Sequence, residues 1–146
     1  MFKHILISTD GSPISNKAAK AGIALARALG AKVTAYCAIE ELQMLYGEGY
    51  VPSQAEIDGI LRRASDLGHK RVDTIGKMAR AAGVRFASLV TKAYSPYEGI
   101  IDAAKKRKCD VIFMASHGRR GLSKLIMGSV TQKVLSHSRI PVVVYR

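Results

Sequence analysis

The stretch from residue 110 to residue 130 combines a strand signal, a glycine-containing loop and the start of a helix. Residues 111–114, Val-Ile-Phe-Met, form an uninterrupted apolar run, which is typical of a strand buried on both faces. The following loop contains two glycines and two arginines, and apolar residues recur at helical spacing after Gly128. Parallel α/β folds are built from units of this kind, so the stretch constrains the chain toward that class.

The rest of the chain repeats the same alternation of short apolar runs and helical patterns. Strands are expected at residues 5–7, 31–39, 84–90, 111–114 and 140–145, with the third near an edge. Helices are expected at 13–29, at 54–82, from 96 into the basic block 105–108, and from 129 to the break at 136–138. Right-handed crossovers then predict an α/β three-layer sandwich with a mainly parallel, five-stranded, flavodoxin-like sheet.

Three helix starts carry capping signals. Ser12 is expected as an N-cap with Pro13 at the first helical position, and Ser53 with Glu56 forms a capping box. The sequence 95–98, Ser-Pro-Tyr-Glu, predicts a second capping box. Ser129 is expected either to cap the last helix or to donate its hydroxyl to a ligand.

The loop between residues 115 and 128 suits an anionic group. Gly118 and Gly128 would let main-chain amides approach a phosphate closely, and the helix that follows adds free N–H groups and a partial positive charge. The residues that would add mobile positive charge are Arg119, Arg120 and Lys124. From this segment alone, a plain structural turn is an equally good interpretation.

Asp10 follows the first predicted strand and would stand at the carboxyl edge of the sheet, where ligands bind in α/β folds. It could equally cap its own turn through an Asx interaction, and the two roles are compatible. His117 is the one acid–base candidate in the glycine loop, but without a partnered carboxylate it is interpreted as structural. His69 lacks a second ligand at i+4 and is interpreted as a surface residue, so no metal site is predicted.

Composition favours one cytoplasmic domain covering residues 1–146. No apolar run approaches a membrane span, and the start carries no secretory signal pattern. The net charge of +12 is spread over several segments, so a solvated surface is favoured over nucleic-acid contact, and nine aromatic residues with no recognisable module argue against sequence readout. Cys37 and Cys109 are expected at opposite ends of the sheet as buried thiols without a disulfide.

The spacing of the loop resembles the signature of the universal stress protein family: glycine, two residues, glycine, nine residues, then glycine and serine or threonine. Gly118, Gly128 and Ser129 match its second half, whereas Ala115 stands where the family has its first glycine. The resemblance extends over essentially the whole chain, from the turn at Asp10 to the valine-rich end. It implies the strand order 3-2-1-4-5, which places the first and fourth strands side by side.

The resemblance also implies a function, namely binding of ATP or a related adenine nucleotide by a regulatory stress-response module, with slow hydrolysis at most. The residues it implies for nucleotide binding are Asp10 and Ala38 beside the adenosine, Met114 and Ala115 beside the ribose, and Gly118, Gly128, Ser129 and Val130 at the phosphates. Any Mg²⁺ would arrive with the nucleotide, because no dedicated carboxylate cage is evident.

The last strand predicts a homodimer. Val142, Val143 and Val144 would form an edge strand that only Pro141 blunts, and such an edge favours coverage by a second copy of the chain over coverage by its own loop. Two other functions remain open. One is a nucleotide-free stress protein acting through dimerisation and protein contacts, which Ala115 favours; the other is an enzyme of adenylyl transfer or ATP hydrolysis, for which no second-substrate motif is found.

Overall fold

The computed structural model describes residues 1–40, 49, 51–118 and 127–146. These residues form a five-stranded sheet with the order β3-β2-β1-β4-β5, and every neighbouring pair is parallel. The strands are β1 (His4–Ser8), β2 (Lys32–Glu40), β3 (Phe86–Ala93), β4 (Val111–Ala115) and β5 (Val142–Tyr145). The predicted strand order is therefore confirmed, and β3 lies at an edge, although it begins and ends later than the sequence pattern suggests.

Four helices cover the two faces of this sheet: α1 (Pro13–Leu29), α2 (Gln54–Ala81), α3 (Pro96–Lys106) and α4 (Ser129–His137). Successive strand residues point to opposite faces. Ile5 and Ile7 therefore pack in one core cluster with α1 and α2, whereas Leu6 packs in the other with α3 and α4. The α/β three-layer sandwich is confirmed. No helix within the described ranges is long and apolar enough to cross a membrane.

Two of the predicted helix starts form as expected. The Ser12 hydroxyl accepts a hydrogen bond from the Ser15 amide at 3.2 Å, and Ser53 and Glu56 form a reciprocal capping box. At its other end α1 stops at Gly30, whose φ of 65° lies in the left-handed region that glycine tolerates.

The predicted capping box at α3 is wrong. Ser95 is the N-cap residue, but its side chain makes no capping hydrogen bond, and its buried Oγ has no partner among the described residues. The expected reciprocal partner, Glu98, instead accepts a hydrogen bond from the Tyr97 hydroxyl at 3.1 Å. Pro96 and Glu98 still place a fixed φ and a negative charge in the first turn of the helix.

The long helix α2 is buried along only part of its length. Its buried residues, Gly68, Val72, Ile75, Gly76 and Ala79, all lie in the second half of the helix. Leu67, which the helical pattern assigns to the apolar face, is 47% exposed. The second half of α2 is therefore the part that is packed into the core.

Candidate functional site

A cavity of about 640 Å³ opens at the carboxyl edge of the sheet. It lies where β1 and β4 pair side by side, so the turns that follow these two strands meet there. All eight residues that the sequence reading selected for ligand binding line this cavity: Asp10, Ala38, Met114, Ala115, Gly118, Gly128, Ser129 and Val130. In open α/β sheets, ligands usually bind in the crevice at the carboxyl ends of the strands, at the point where the strand order reverses.

The turn between β1 and α1 forms one wall and is held by its own hydrogen bonds. The Thr9 amide donates to the carbonyl of Tyr36 at 2.9 Å, which ties the turn to β2. The Thr9 hydroxyl accepts from the Gly11 amide at 3.0 Å and lies 3.1 Å from the Ser15 hydroxyl. These bonds fix the main chain on both sides of Asp10.

Asp10 has both of the placements that the sequence allowed. Its Oδ1 accepts a hydrogen bond from the Ser12 amide at 2.9 Å, so the predicted Asx interaction is confirmed. Its Oδ2 lies against Gly118, so closely that a Cβ at residue 118 would collide with it. The carboxylate therefore caps its own turn and borders the cavity at the same time.

The opposite wall is the connection from β4 to α4. The Ser116 amide donates to the Tyr145 carbonyl at 2.7 Å, and the Thr131 hydroxyl donates to the Ala115 carbonyl at 2.9 Å. The Gly128 amide donates to the Ser116 carbonyl at 2.8 Å, so the expectation that this amide would be available to a phosphate is wrong. Gly128 instead permits close packing, because a Cβ there would lie 3.1 Å from the Cα of His117.

The first turn of α4 points its main-chain donors at the cavity. Gly128 is the N-cap residue and Ser129 is the first helical residue, so the expectation that Ser129 might cap the helix is wrong. The amides of Ser129, Val130 and Thr131 have no acceptor within the helix, and the helix dipole adds partial positive charge there. Thr131 also lines the cavity, and the sequence reading did not select it.

The remaining loop residues are only partly described. His117 lines the cavity with its Nδ1 3.0 Å from the Ser116 hydroxyl, a contact whose donor depends on the imidazole tautomer. Arg119, Arg120 and Lys124, which were selected as mobile positive charges, lie outside the described residues.

Apolar residues form the floor of the cavity. Met114 and Ala115 are buried at the end of β4, and Ala38 is half-buried near the end of β2. The two cysteines, Cys37 beside the cavity and Cys109 outside its lining, are buried free thiols, as predicted. Burial raises the pKa of the Cys109 thiol to about 11, with a smaller contribution from the nearby Asp110 charge, so that cysteine is a poor nucleophile at neutral pH.

Arg71 of α2 also lines the cavity, although the sequence pattern does not single it out as a ligand-binding residue. Its Nη1 lies 4.0 Å from the Cys37 sulfur, and its side chain packs over Gly11, where a Cβ would come within 2.7 Å of Nε. Arg71 shares helical spacing with Ala64 and Leu67, which also line the cavity. That spacing was the available signal.

The described residues offer a ligand few fixed charges. No group of three histidine, cysteine, aspartate or glutamate side chains that could hold a metal ion occurs in residues 1–40, 51–118 and 127–146. The cavity instead combines Asp10, Arg71 and His117 with a helix N-terminus and an apolar floor. This arrangement can hold a ligand that has an apolar or aromatic part and an anionic part.

Comparison with known proteins agrees with this architecture. The model of the universal stress protein family matches residues 1–146. The universal stress protein MJ0531 of Methanocaldococcus jannaschii is 30% identical over 146 residues, spanning 100% of this chain and 83% of the relative. The solved structure of protein MJ0577, a universal stress protein from the same organism, superposes with a TM-score of 0.85 at 25% identity, covering 99% of this chain and 95% of that one.

A second solved structure is a universal stress protein in complex with cAMP. It superposes with a TM-score of 0.70 at 19% identity and covers 99% of this chain and 97% of that one. At this identity the similarity establishes a shared fold.

Proposed function

Because this chain belongs to the universal stress protein family, we propose that its cavity binds ATP or a related adenine nucleotide, and that the protein acts as a regulatory stress-response module with little or no hydrolysis. The observation that carries the proposal is the meeting of Asp10, Ala38, Gly118 and the first turn of α4 in one cavity. Its volume of about 640 Å³ lies within the roughly 300–1,000 Å³ of small-molecule sites. A relative of the same fold binds cAMP, which supports an adenine nucleotide as the ligand.

In this proposal the two ends of the ligand occupy different parts of the cavity. Phosphates lie at the N-terminus of α4, where the Ser129 and Val130 amides and the Ser129 hydroxyl can donate, and where Gly118 leaves room. The adenosine lies between Asp10 and Ala38, with Met114 and Ala115 beside the ribose. A Mg²⁺ ion would neutralise phosphate charge and would arrive with the nucleotide.

The proposal of little hydrolysis depends on His117. A general base needs to be positioned and activated, commonly by a carboxylate. In the described residues the Nδ1 of His117 is bonded to the Ser116 hydroxyl and not to a carboxylate. The ring is therefore held in place by a neutral group, which favours a structural role.

A nucleotide-free role in dimerisation is the second candidate. Ala115 carries a methyl group at the position of the first signature glycine, and the Gly128 amide is already bonded to Ser116. Both features reduce what the loop can offer to a phosphate. In this alternative the protein is a cytoplasmic homodimer that pairs through the edge strand β5 and acts through protein contacts.

Thermal unfolding with and without ATP and Mg²⁺ distinguishes the two candidates. Nucleotide at one hundred times its dissociation constant should stabilise the protein by about 2.7 kcal/mol. Ser129→Glu should remove that response. The new carboxylate stabilises the N-terminus of α4, so the helix should still form, but its negative charge repels phosphate. A bulky residue at Gly128 is a poorer test, since it would displace His117.

Ala55→Glu is the matched control, because it places the same charge in the first turn of α2 on an exposed residue. It should leave the ATP response unchanged. Purified wild-type protein should also release adenine nucleotide on denaturation, or bind it when added. Absence of both release and thermal response would exclude the nucleotide proposal and leave the dimerisation role.

A further inference from the structure

A second, smaller cavity of about 210 Å³ lies at the opposite, amino-terminal edge of the sheet. It is formed by the beginnings of β1, β2 and β3 and by the residue that ends α3. The lining residues are His4, Lys32, Val33, Thr34, Arg85, Phe86, Ala87 and Arg107. Half of these eight residues are basic and none is acidic, which sets this cavity apart from the one at the carboxyl edge.

Three of the basic residues stand in one row across adjacent strands. His4 of β1 is paired in register with Lys32 of β2. Arg85 precedes Phe86, which is paired with Val33, so Arg85 stands beside Lys32. Like charges placed directly opposite one another in a sheet destabilise it. The exposed side chains of Lys32 and Arg85 therefore repel each other modestly, and a bound counter-anion would relieve that repulsion.

The row faces the side of the sheet that carries α3. His4 and Thr34 share their face with Leu6 and Tyr36, which pack in the α3 and α4 cluster, and Lys32 has the same orientation by alternation. Arg107 ends α3 and adds the fourth basic side chain. A cation at a helix C-terminus is favoured by the helix dipole, but Lys32 and Arg85 lie outside the helices, so that effect does not account for them.

The nearby carboxylate of Asp110 is engaged elsewhere. Its two oxygens accept hydrogen bonds from the main-chain amides of Lys3 at 2.8 Å and His4 at 3.2 Å. It therefore fixes the start of β1 and lies outside the residues that line the cavity. Asp110 keeps its negative charge, which acts on His4, but Lys32, Arg85 and Arg107 leave an excess of positive charge that a bound anion can neutralise.

His4 gives the cavity a buried polar floor. Its Nε2 lies 2.8 Å from the Thr34 hydroxyl. Burial lowers the pKa of His4, and the charge of Lys32 lowers it further, whereas Asp110 and the carbonyls of Lys108 and Arg107 oppose this shift. The ring is therefore neutral at pH 7, and its pKa will respond to any anion placed next to Lys32.

We propose that this basic cavity binds a small phosphate-type dianion through Lys32, Arg85 and Arg107. Its volume is about one third of that of the cavity at the carboxyl edge, which suits a single phosphate group. Guanidinium groups match the geometry of phosphate oxygens, and the ammonium group adds a point charge. The anion is either free phosphate or the phosphate of a small phosphomonoester, and the site is independent of nucleotide binding at the other edge.

The imidazole resonances of His4 and His117 report on the two cavities separately by NMR. Inorganic phosphate, titrated against chloride at matched ionic strength, should shift the resonances of His4 and raise its pKa. A shift of His117 in the same titration reports phosphate in the cavity at the carboxyl edge and is fitted separately. Lys32→Gln combined with Arg85→Gln should weaken this binding at least tenfold. The matched control is Lys20→Gln combined with Arg63→Gln, which removes the same charge from exposed residues and should change the binding less than twofold.

The Lys32→Gln and Arg85→Gln variant should also melt at a higher temperature than wild type in low-salt buffer without phosphate, because the repulsion within the row is relieved. If this double variant fails to fold, each single variant is titrated instead. Phosphoserine as a second titrant identifies the source: tighter binding than inorganic phosphate indicates a phosphomonoester, and weaker binding indicates free phosphate. A His4 shift that chloride reproduces, or that both double variants retain, would overturn the proposal.

Discussion

The carboxylate of Asp10 lies against the main chain of Gly118, and a methyl group at residue 118 would collide with Oδ2. This contact joins the turn after β1 to the loop after β4. The other carboxylate oxygen is held by the Ser12 amide at 2.9 Å, so the side chain cannot withdraw without breaking that bond. A displacement of the Gly118 loop would therefore displace the Asp10 carboxylate as well.

Gly118→Ala should displace the Asp10 carboxylate. Overpacking of this kind typically costs about 1–3 kcal/mol of folding free energy. If Asp10 contacts the nucleotide as proposed, the variant should also bind ATP at least tenfold more weakly. Urea unfolding and calorimetric titration measure the two effects.

Two further variants test the contact itself. Asp10→Ala combined with Gly118→Ala should lose less stability than the sum of the single variants, because removal of the carboxylate relieves the collision. Gly59→Ala on α2 is the matched control, since its Cβ meets only Arg63 at 3.8 Å, and it should stabilise the protein by about 0.5–1 kcal/mol. Strict additivity in the double variant would show that the two residues do not interact.

The Cys109 thiol should make stability depend on alkaline pH. Burial raises its pKa to about 11, above the roughly 8.5 of an exposed thiol, so the neutral form is favoured in the folded state. This contribution is complete below about pH 8.5 and is lost as the pH rises through 11. Urea unfolding of wild type and Cys109→Ala from pH 7 to 11 should show a steeper decline for wild type, and parallel curves would contradict the assignment.

The fold could be predicted almost entirely from the sequence because its signals are local and agree with one another. The fully apolar run at residues 111–114 marked a strand buried on both faces, and Ser12 with Pro13 and Gly30 bounded α1 correctly. The capping box fails at Ser95, whose hydroxyl makes no capping bond, while Glu98 accepts a hydrogen bond from Tyr97. A sequence motif shows that a hydrogen bond is possible, but not which of several partners wins.

The site was predictable where it follows a motif and unpredictable where it depends on distant segments. Gly128 was correctly placed beside the cavity, but its amide is used by Ser116, a bond that depends on how β4 enters the loop. Arg71 was missed because its neighbours Cys37 and Gly11 belong to other elements. Its helical spacing was visible, whereas the proximity of α2 to the end of β2 required the tertiary structure.

Because β5 is an edge strand of the sheet, we predict that Val144 mediates self-association. Val142 and Val143 pack against the two core clusters, whereas Val144 is half-buried and belongs to neither. Val144→Lys should therefore leave the monomer folded and prevent pairing of β5 with a second copy. Light scattering should give about twice the 15.8 kDa chain mass for wild type and the chain mass for the variant.

Leu29→Lys is the control for the dimer prediction, because Leu29 is 40% exposed at the end of α1, a helix that packs on β1, β2 and β4. This variant should remain a dimer. A monomeric wild-type protein, or a Val144→Lys variant that keeps the doubled mass, would exclude pairing through β5.

Arg71 should contact the base of the nucleotide and not its phosphates. Its guanidinium lies 4.0 Å from the sulfur of Cys37, next to Ala38 at the end of β2, where the adenosine is proposed to lie. The phosphates are proposed at the N-terminus of α4, on the other side of the cavity. A guanidinium beside an aromatic base contributes about 0.5–2 kcal/mol, which corresponds to roughly a 2- to 30-fold change in affinity.

Titration of Arg71→Ala with adenosine, AMP and ATP separates the two kinds of contact. A contact with the base weakens all three ligands by the same factor, because each carries the same adenine ring. A contact with phosphate leaves adenosine unaffected and weakens ATP most, so a loss that grows with the number of phosphates would contradict the prediction. Arg63→Ala removes the same charge from an exposed position of α2 and should bind all three ligands as wild type does. If Arg71→Ala behaves like this control, Arg71 supports the wall of the cavity through Gly11 without touching the ligand.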